Sequence, residues 1–177
     1  NAGLWQVQYN VGRIYLEHGK YPEAVEAFNS ALKLKPGDPE IISSLGVALM
    51  KSGKNTEAIP YLTQVVDMKR YIQEDFYNLG EAYANEGQWS KAAEIFKKGA
   101  ELKGLDPNGY FYWGTMLFNS DNIVEAFDVY QIAKKKDLEQ NHWGTSLYLA
   151  DIYSKRNVLV AVKCFEIMAM GLGFETL

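Results

Sequence analysis

The stretch YNVGRIYLEHGKYPEAVEAF, residues 9–28, combines a helix-like spacing of apolar residues with a break in its middle. The break is GKYP at residues 19–22, and Ala24 and Phe28 follow it four residues apart. Gly just past one helix and Pro in the first turn of the next are common end and start signals of α-helices. The stretch therefore predicts two antiparallel helices joined by a short turn.

The same pattern recurs along the chain. Three sets of residues, two small and one large, repeat at intervals of 34 residues: Gly12, Gly46, Gly80 and Gly114; Ala24, Ala58, Ala92 and Ala126; Phe28, Leu62, Phe96 and Tyr130. A looser fifth copy has Ala150, Ala161 and Phe165 in corresponding places, with a turn one residue shorter. A fixed period of this length indicates stacked copies of one supersecondary unit.

The character of these sets predicts how the helices pack. Gly in one helix and Ala in the other allow two helix axes to approach closely, and we expect the large residue to fill the space between repeats. Gly19, Gly53 and Gly87 are expected to end the first helices in a left-handed conformation, a set that Asp121 breaks. The pairs Asp38-Pro39 and Asp106-Pro107 predict helix starts with an N-cap aspartate.

These signals predict an all-α fold of ten helices in one domain, residues 3–177. The predicted helices are residues 3–18, 21–34, 38–52, 55–68, 72–86, 89–102, 107–119, 122–136, 142–155 and 157–170. They pair into five repeats, at about residues 5–38, 39–72, 73–106, 107–140 and 141–174.

Composition argues against several functional classes. The chain has 177 residues, 47% of them apolar, and a net charge of −4, which is unlike the concentrated Lys and Arg of nucleic-acid-binding proteins. Cys164 is the single cysteine, so no internal disulfide and no Cys-based zinc site is predicted. We predict no membrane insertion, because no apolar run reaches transmembrane length. The chain begins with Asn1 rather than Met, so the missing signal peptide carries no information about export. The location is left unknown, with the cytoplasm slightly favoured and export or the periplasm left open.

No arrangement of polar residues predicts catalysis, a metal site or a cofactor. His18 and His142 lie at predicted helix ends in different repeats, without Cys or Asp at metal-ligand or triad spacing. Glu74 and Asp75 fall in a first helical turn, where the helix dipole favours carboxylates. The lysines at residues 134–136 are interpreted as cations at a helix C-terminus. We therefore predict a protein that is not an enzyme.

The repeated unit resembles the tetratricopeptide repeat. The stretch VGRIYLEHGKYPEAVEAFNSALKLKP, residues 11–36, carries nearly all of that family's hallmarks, and the resemblance covers residues 5–174. The family's closing Pro is present as Pro36 but is replaced by Arg70, Gly104 and Leu138 in later copies. The resemblance implies a right-handed superhelix whose first helices line a concave groove that holds a peptide or partner segment.

Two residues from each first helix are candidates for the surface of this groove. One set lies three residues before the Gly or Ala of each repeat and the other directly after it, which gives a semi-apolar, mildly acidic surface. The candidates are Tyr9, Arg13, Ser43, Val47, Tyr77, Glu81, Phe111, Thr115, Leu147 and Asp151. The aromatic members could anchor a partner, or could instead pack inside the solenoid.

The predicted function is a protein-interaction scaffold, for instance an adaptor or assembly factor. A subset of the family binds the acidic C-terminus of heat-shock chaperones through Lys, Arg and Asn, but here Arg13 is the one cation in the candidate sets of the first four repeats. The alternative is a structural or self-associating segment of a longer solenoid. Residues 158–170 are apolar on most sides, so we expect a homo-oligomer through the fifth repeat.

Overall fold

The computed structural model of the chain describes residues 3–70, 72–103 and 105–140, and this part is entirely helical outside its turns. It contains eight helices: α1 (Leu4–Glu17), α2 (Tyr21–Leu34), α3 (Pro39–Lys51), α4 (Asn55–Asp67), α5 (Gln73–Asn85), α6 (Trp89–Lys103), α7 (Pro107–Asn119) and α8 (Ile123–Gln140). The first eight predicted helices are confirmed, seven of them to within one residue at each end. The predicted ninth and tenth helices, and with them the fifth repeat, lie outside the described residues.

The helices form a right-handed solenoid in which each packs on its neighbours in sequence. The four pairs α1–α2, α3–α4, α5–α6 and α7–α8 are antiparallel hairpins, and each hairpin packs on the next. The first helices of the first three hairpins also meet, since α1 contacts α3 and α3 contacts α5, whereas the second helices α2, α4 and α6 make no comparable contact with one another. The first helices therefore line the inner, concave side of the stack.

The repeated glycines hold the two helices of each hairpin together. A Cβ added at Gly12, Gly46 or Gly114 would come within 2.7 Å of the large side chain on the second helix of the same hairpin. Those side chains are Phe28, Leu62 and Tyr130. Each of these residues covers the Gly of its own hairpin, because the missing side chain there leaves room for it. In the third hairpin, Phe96 also stacks on Tyr112 of the next hairpin, as expected for a large residue that fills the space between repeats.

Two helix starts are capped as the Asp-Pro pairs predict. Asp38 Oδ1 accepts hydrogen bonds from the backbone N–H groups of Glu40 and Ile41, at 3.0 and 3.2 Å. Asp106 Oδ1 accepts one from the N–H of Gly109 at 2.7 Å. Burial works to raise the pKa of Asp38, but hydrogen bonds and the nearby Lys35 charge outweigh it and lower that pKa below its ordinary value. The ionised Asp38 therefore stabilises the start of α3.

The turns inside the hairpins have the predicted left-handed residue. Gly19, Gly53 and Gly87 have φ angles of 71°, 80° and 69°. Asp121 takes the same place in the fourth hairpin with a φ of 62°, although it has a side chain. A left-handed conformation is sterically unfavourable for any residue with a Cβ, so this turn carries strain that the other three avoid.

Replacing Asp121 with Gly is expected to stabilise the protein by about 0.5 kcal/mol, because the strain of the left-handed backbone disappears. Ser120→Gly is the matched control. Ser120 precedes Asp121 with a φ of −91°, so Gly there relieves nothing and is expected to destabilise. Urea unfolding monitored by circular dichroism measures both, and equal effects of the two substitutions would contradict the strain.

The loop between α4 and α5 is closed by an ion pair where the first repeat has Pro36. Arg70 donates hydrogen bonds to both carboxylate oxygens of Asp75, at 3.2 to 3.3 Å. The Asp75 side chain is buried, and it also accepts a 3.4 Å hydrogen bond from Ser43 Oγ in α3. The Arg70 guanidinium is 3.7 Å from Glu40, in the first turn of α3. These contacts tie the loop to α5 and to the preceding hairpin.

The interpretation of residues 134–136 as C-terminal cations is wrong. Helix α8 continues to Gln140, so no lysine lies in its last turn. Lys136 Nζ instead lies 5.2 Å from the centre of the Tyr110 ring, within the range of a cation–π contact. Burial lowers the pKa of Lys134.

Candidate functional site

The eight candidate groove residues on described helices all lie on first helices, two each on α1, α3, α5 and α7. Arg13 and Glu81 are exposed, and the other six are half-buried. Leu147 and Asp151 lie outside the described residues. Half-burial allows a side chain both to pack against its neighbours and to present a surface, so each residue must be considered through its contacts.

Tyr77 is held firmly by the following repeat. Its hydroxyl donates a 2.6 Å hydrogen bond to Asp106 Oδ1, the oxygen that also caps α7. Its ring packs edge-on against Phe96 and Tyr112, with centres 5.5 and 5.6 Å apart. Burial and the hydrogen bond to Asp106 raise the pKa of Tyr77 far above its ordinary value. The side chain is therefore a neutral, fixed part of the surface.

Tyr112 is the side chain in this region that presents the most aromatic surface. It is 45% exposed, while its ring stacks on Phe96 at 6.1 Å and meets Phe111 edge-on at 6.0 Å. The residue was not among the candidates. One signal could have found it: its equivalents in the first three repeats are the polar residues Asn10, Ser44 and Asn78, so Tyr112 is the one aromatic at this position in the four described repeats.

The polar candidates are connected by hydrogen bonds to the same framework. Thr115 Oγ1 donates to the carbonyl of Phe111 at 2.9 Å and accepts from the Tyr130 hydroxyl at 3.1 Å. Tyr9 accepts a 3.4 Å hydrogen bond from Ser44 Oγ in the next hairpin, and its ring packs 5.7 Å from Phe28. These contacts order the surface before any partner binds, because they fix the rotamers of Thr115 and Tyr9.

The charges on the concave side are mainly negative. Arg13 pairs with Glu17 at 3.6 Å, and Lys51 pairs with Glu81 at 3.2 Å across two repeats. Both cations are thereby partly neutralised, and they do not together offer the paired hydrogen-bond donors that bind a carboxylate. Glu74 is exposed one turn before Tyr77, and its negative charge raises the pKa of that tyrosine. The concave side therefore offers aromatic surface with carboxylates nearby.

A second depression lies on another face of α7. It is an open cavity of about 350 Å³ between α6, α7 and the start of α8, lined in part by Glu94, Lys97, Trp113 and Glu125. The indole nitrogen of Trp113 is buried and has no hydrogen-bond partner among the described side chains and backbone. Trp113 points away from the helix face that carries Phe111 and Thr115, so this cavity is separate from the groove.

The described part of the chain shows no arrangement typical of a metal site or a membrane span. No group of three or more His, Cys, Asp or Glu side chains within residues 3–70, 72–103 and 105–140 could hold a metal ion. None of the helices there is long and apolar enough to cross a bilayer. His18 caps α1, with Nδ1 2.8 Å from the carbonyl oxygen of Ile14, and His142 lies outside the described residues.

Comparison with family models gives two matches. Residues 12–53 match a model described as TPR repeat, and residues 43–110 match one described as tetratricopeptide repeat. Together they span residues 12–110, which is more than half of the 177 residues. The matched region runs from the middle of α1 to the start of α7.

The chain is also similar to several curated proteins and solved structures. Human protein O-mannosyl-transferase TMTC1 is 25% identical over 134 residues, which are 73% of this chain and 15% of that protein. The peroxisomal targeting signal receptor of Candida albicans is 26% identical over 103 residues, 56% of this chain and 17% of the receptor. MamA from Desulfovibrio magneticus RS-1 superposes with a TM-score of 0.72 at 25% identity over 78% of each chain. This chain thus spans less than a fifth of either curated relative.

Proposed function

Because this chain belongs to the tetratricopeptide repeat family, whose members are typically non-catalytic protein-interaction scaffolds, we propose that its concave groove binds an extended segment of a partner protein. In this role the chain acts as an adaptor or assembly factor. The observation that carries the proposal is Tyr112, an exposed ring supported by the fixed rings of Tyr77, Phe96 and Phe111.

An exposed ring on a rigid floor is suited to binding. Tyrosine provides a large contact area with few rotatable bonds, so little conformational entropy is lost when a partner immobilises it. The floor is ordered in advance, since Tyr77 is tied to Asp106 and Thr115 to Phe111. The name of the relative from Candida albicans describes a receptor for a targeting signal, and a short peptide segment is the kind of partner we propose here.

The charges of the groove favour a basic partner segment. Glu74 is exposed beside the aromatic surface. Glu40 and Glu81 are also exposed, but they pair with Arg70 and Lys51 and contribute less. A Lys or Arg side chain could lie over the Tyr112 ring and meet a carboxylate in the same place. An acidic segment would meet these carboxylates instead, so we expect acidic peptides to bind poorly.

Selection from a displayed library of random peptides tests the proposal. We expect enrichment of peptides with Lys or Arg beside an apolar residue, and we expect Tyr112→Ala to weaken binding of the selected peptides roughly 10- to 30-fold. Val124→Ala is the control, because Val124 is 80% exposed on the second helix α8 and is expected to leave binding unchanged. The proposal fails if no peptide is enriched, or if Tyr112→Ala and Val124→Ala bind equally well.

A further inference from the structure

The first helix of the stack exposes an apolar surface that later first helices bury. The N-terminal face, defined here as Val7, Val11 and Ile14, follows one side of α1 with the i, i+4, i+7 spacing of a helix stripe. Val7 and Ile14 are each 55% exposed. This face lies on α1 away from Gly12, which packs against Phe28 of the same hairpin.

The 34-residue period identifies the equivalent residues in later repeats, and those are buried. The residues equivalent to Ile14 are Ala48, Ala82 and Met116, with exposures of 0%, 0% and 7%. Ile41, equivalent to Val7, and Leu45, equivalent to Val11, are both fully buried. In each later repeat a preceding second helix packs on the first helix, as α2 does on α3, α4 on α5 and α6 on α7.

We propose that the N-terminal face is a docking surface for the second helix of another tetratricopeptide-type hairpin. The N-terminal face is equivalent to the surface on which α3, α5 and α7 each contact the preceding second helix. A helix that binds this face should therefore resemble α2, α4 and α6. Those helices are amphipathic and bury small or medium apolar residues, such as Ala27 and Ala31 in α2 and Val65 in α4. A contiguous apolar surface exposed to water is typical of a contact site.

A chain with one additional repeat provides the test. Residues 5–38 are duplicated ahead of residue 5, so that the added copy of α2 can pack on α1 in the way that α2 packs on α3. The register is preserved, because residue 38 is followed by residue 5 as it is normally followed by residue 39. We expect backbone amides of the original α1 to exchange with solvent roughly tenfold more slowly in the extended chain.

Substitutions in the face separate docking from a general effect of a longer chain. The double substitution Val7→Lys and Ile14→Lys in the original α1 is expected to leave amide exchange in the unextended chain unchanged, since both side chains are exposed there. In the extended chain the same pair is expected to remove the added protection, because it buries two charges in the new interface. Fluorescence-monitored unfolding of both chains verifies that the remaining repeats are folded.

Two outcomes would overturn the proposal. One is that the added repeat leaves exchange in α1 unchanged, or that the lysine pair has the same effect in both chains. The other is concentration-dependent self-association of the unextended chain in sedimentation velocity that Val7→Lys with Ile14→Lys removes, because this would assign the face to a second copy.

Discussion

Replacing Arg70 with Ala is expected to lower the free energy of unfolding by about 3 kcal/mol at neutral pH. The side chain of Asp75 is only 4% exposed, and Arg70 is its one ion-pair partner among the described residues. Removal of one member of a buried pair leaves the other charge without compensation, which costs several kcal/mol in proteins. Chemical unfolding of the parent and the variant, monitored by circular dichroism, measures the difference.

The defect is expected to diminish at acidic pH. Burial raises the pKa of Asp75, and the opposing effect of the Arg70 charge does not cancel it. A carboxyl with a raised folded-state pKa contributes most favourably below its unfolded pKa of about 3.8, and that contribution is lost as pH rises through the folded pKa. Without Arg70 the folded pKa rises further, so the variant loses more stability toward neutral pH than the parent does.

A second substitution at the pair provides the control. Asp75→Asn removes the buried charge, so Arg70→Ala with Asp75→Asn is expected to be more stable at neutral pH than Arg70→Ala alone. If Arg70→Ala unfolds at the same denaturant concentration as the parent, the ion pair does not contribute to the stability of the fold.

Replacing Gly80 with Leu is the other change with a large expected effect, a loss of about 2 to 4 kcal/mol. A Cβ at Gly80 would overlap the Phe96 ring, with Phe96 Cζ within 2.9 Å. Phe96 is itself buried, with the Tyr77 ring edge-on to it and the Tyr112 ring stacked on it, so it cannot move aside freely. Thermal unfolding by calorimetry is the direct measurement.

The contact partner can be verified by a double-mutant cycle. Phe96→Ala alone destabilises by removing buried surface, but it also makes room for a larger residue at position 80. The loss for Gly80→Leu with Phe96→Ala is therefore expected to be smaller than the sum of the two single losses. Additive losses would mean that Gly80 and Phe96 do not share the space that the structure indicates.

Much of the fold was predictable because its signals are local and repeated. Gly, Pro and N-cap Asp determine where helices begin and end within a few residues of their own positions. The 34-residue period places the same signals in several hairpins, so each hairpin supports the prediction for the others. Among the eight described helices, only the end of α8 differed clearly, since the lysines at residues 134–136 were interpreted as a C-terminal cluster. Lysine is also a good helix former, so this composition alone does not end a helix.

The contacts between helices were harder to predict. Phe28 packs on Gly12 of the same hairpin because of the rotation of each helix about its axis, and the 34-residue period alone does not determine that rotation. The replacement of Pro36 by Arg70 in the second repeat appeared only as a departure from the family pattern. Its role follows from a buried carboxylate five residues later, and nothing in the sequence indicated that the first turn of α5 would be buried at Asp75.

The sequence indicated the helices that carry the candidate groove residues but not the contacts of their side chains. The eight candidates on described helices lie on first helices, but the sequence could not show that Tyr77 uses its hydroxyl to hold Asp106. Tyr112 follows Phe111 directly and was passed over because the two chosen sets did not include its position. A helix surface is wider than two residues per repeat, and exposure is decided by how adjacent hairpins are rotated.

The pair between Arg70 and Asp75 has a consequence for the evolution of the array. Repeats of equal length invite duplication and shuffling of modules, but the third repeat cannot be moved behind the first without loss. In that order Asp75 would face Pro36 and Tyr9, the residues that stand where Arg70 and Ser43 are now. The buried carboxylate would lose the Arg70 cation, so we expect the second and third repeats to be retained together and recombination breakpoints to fall at the other junctions.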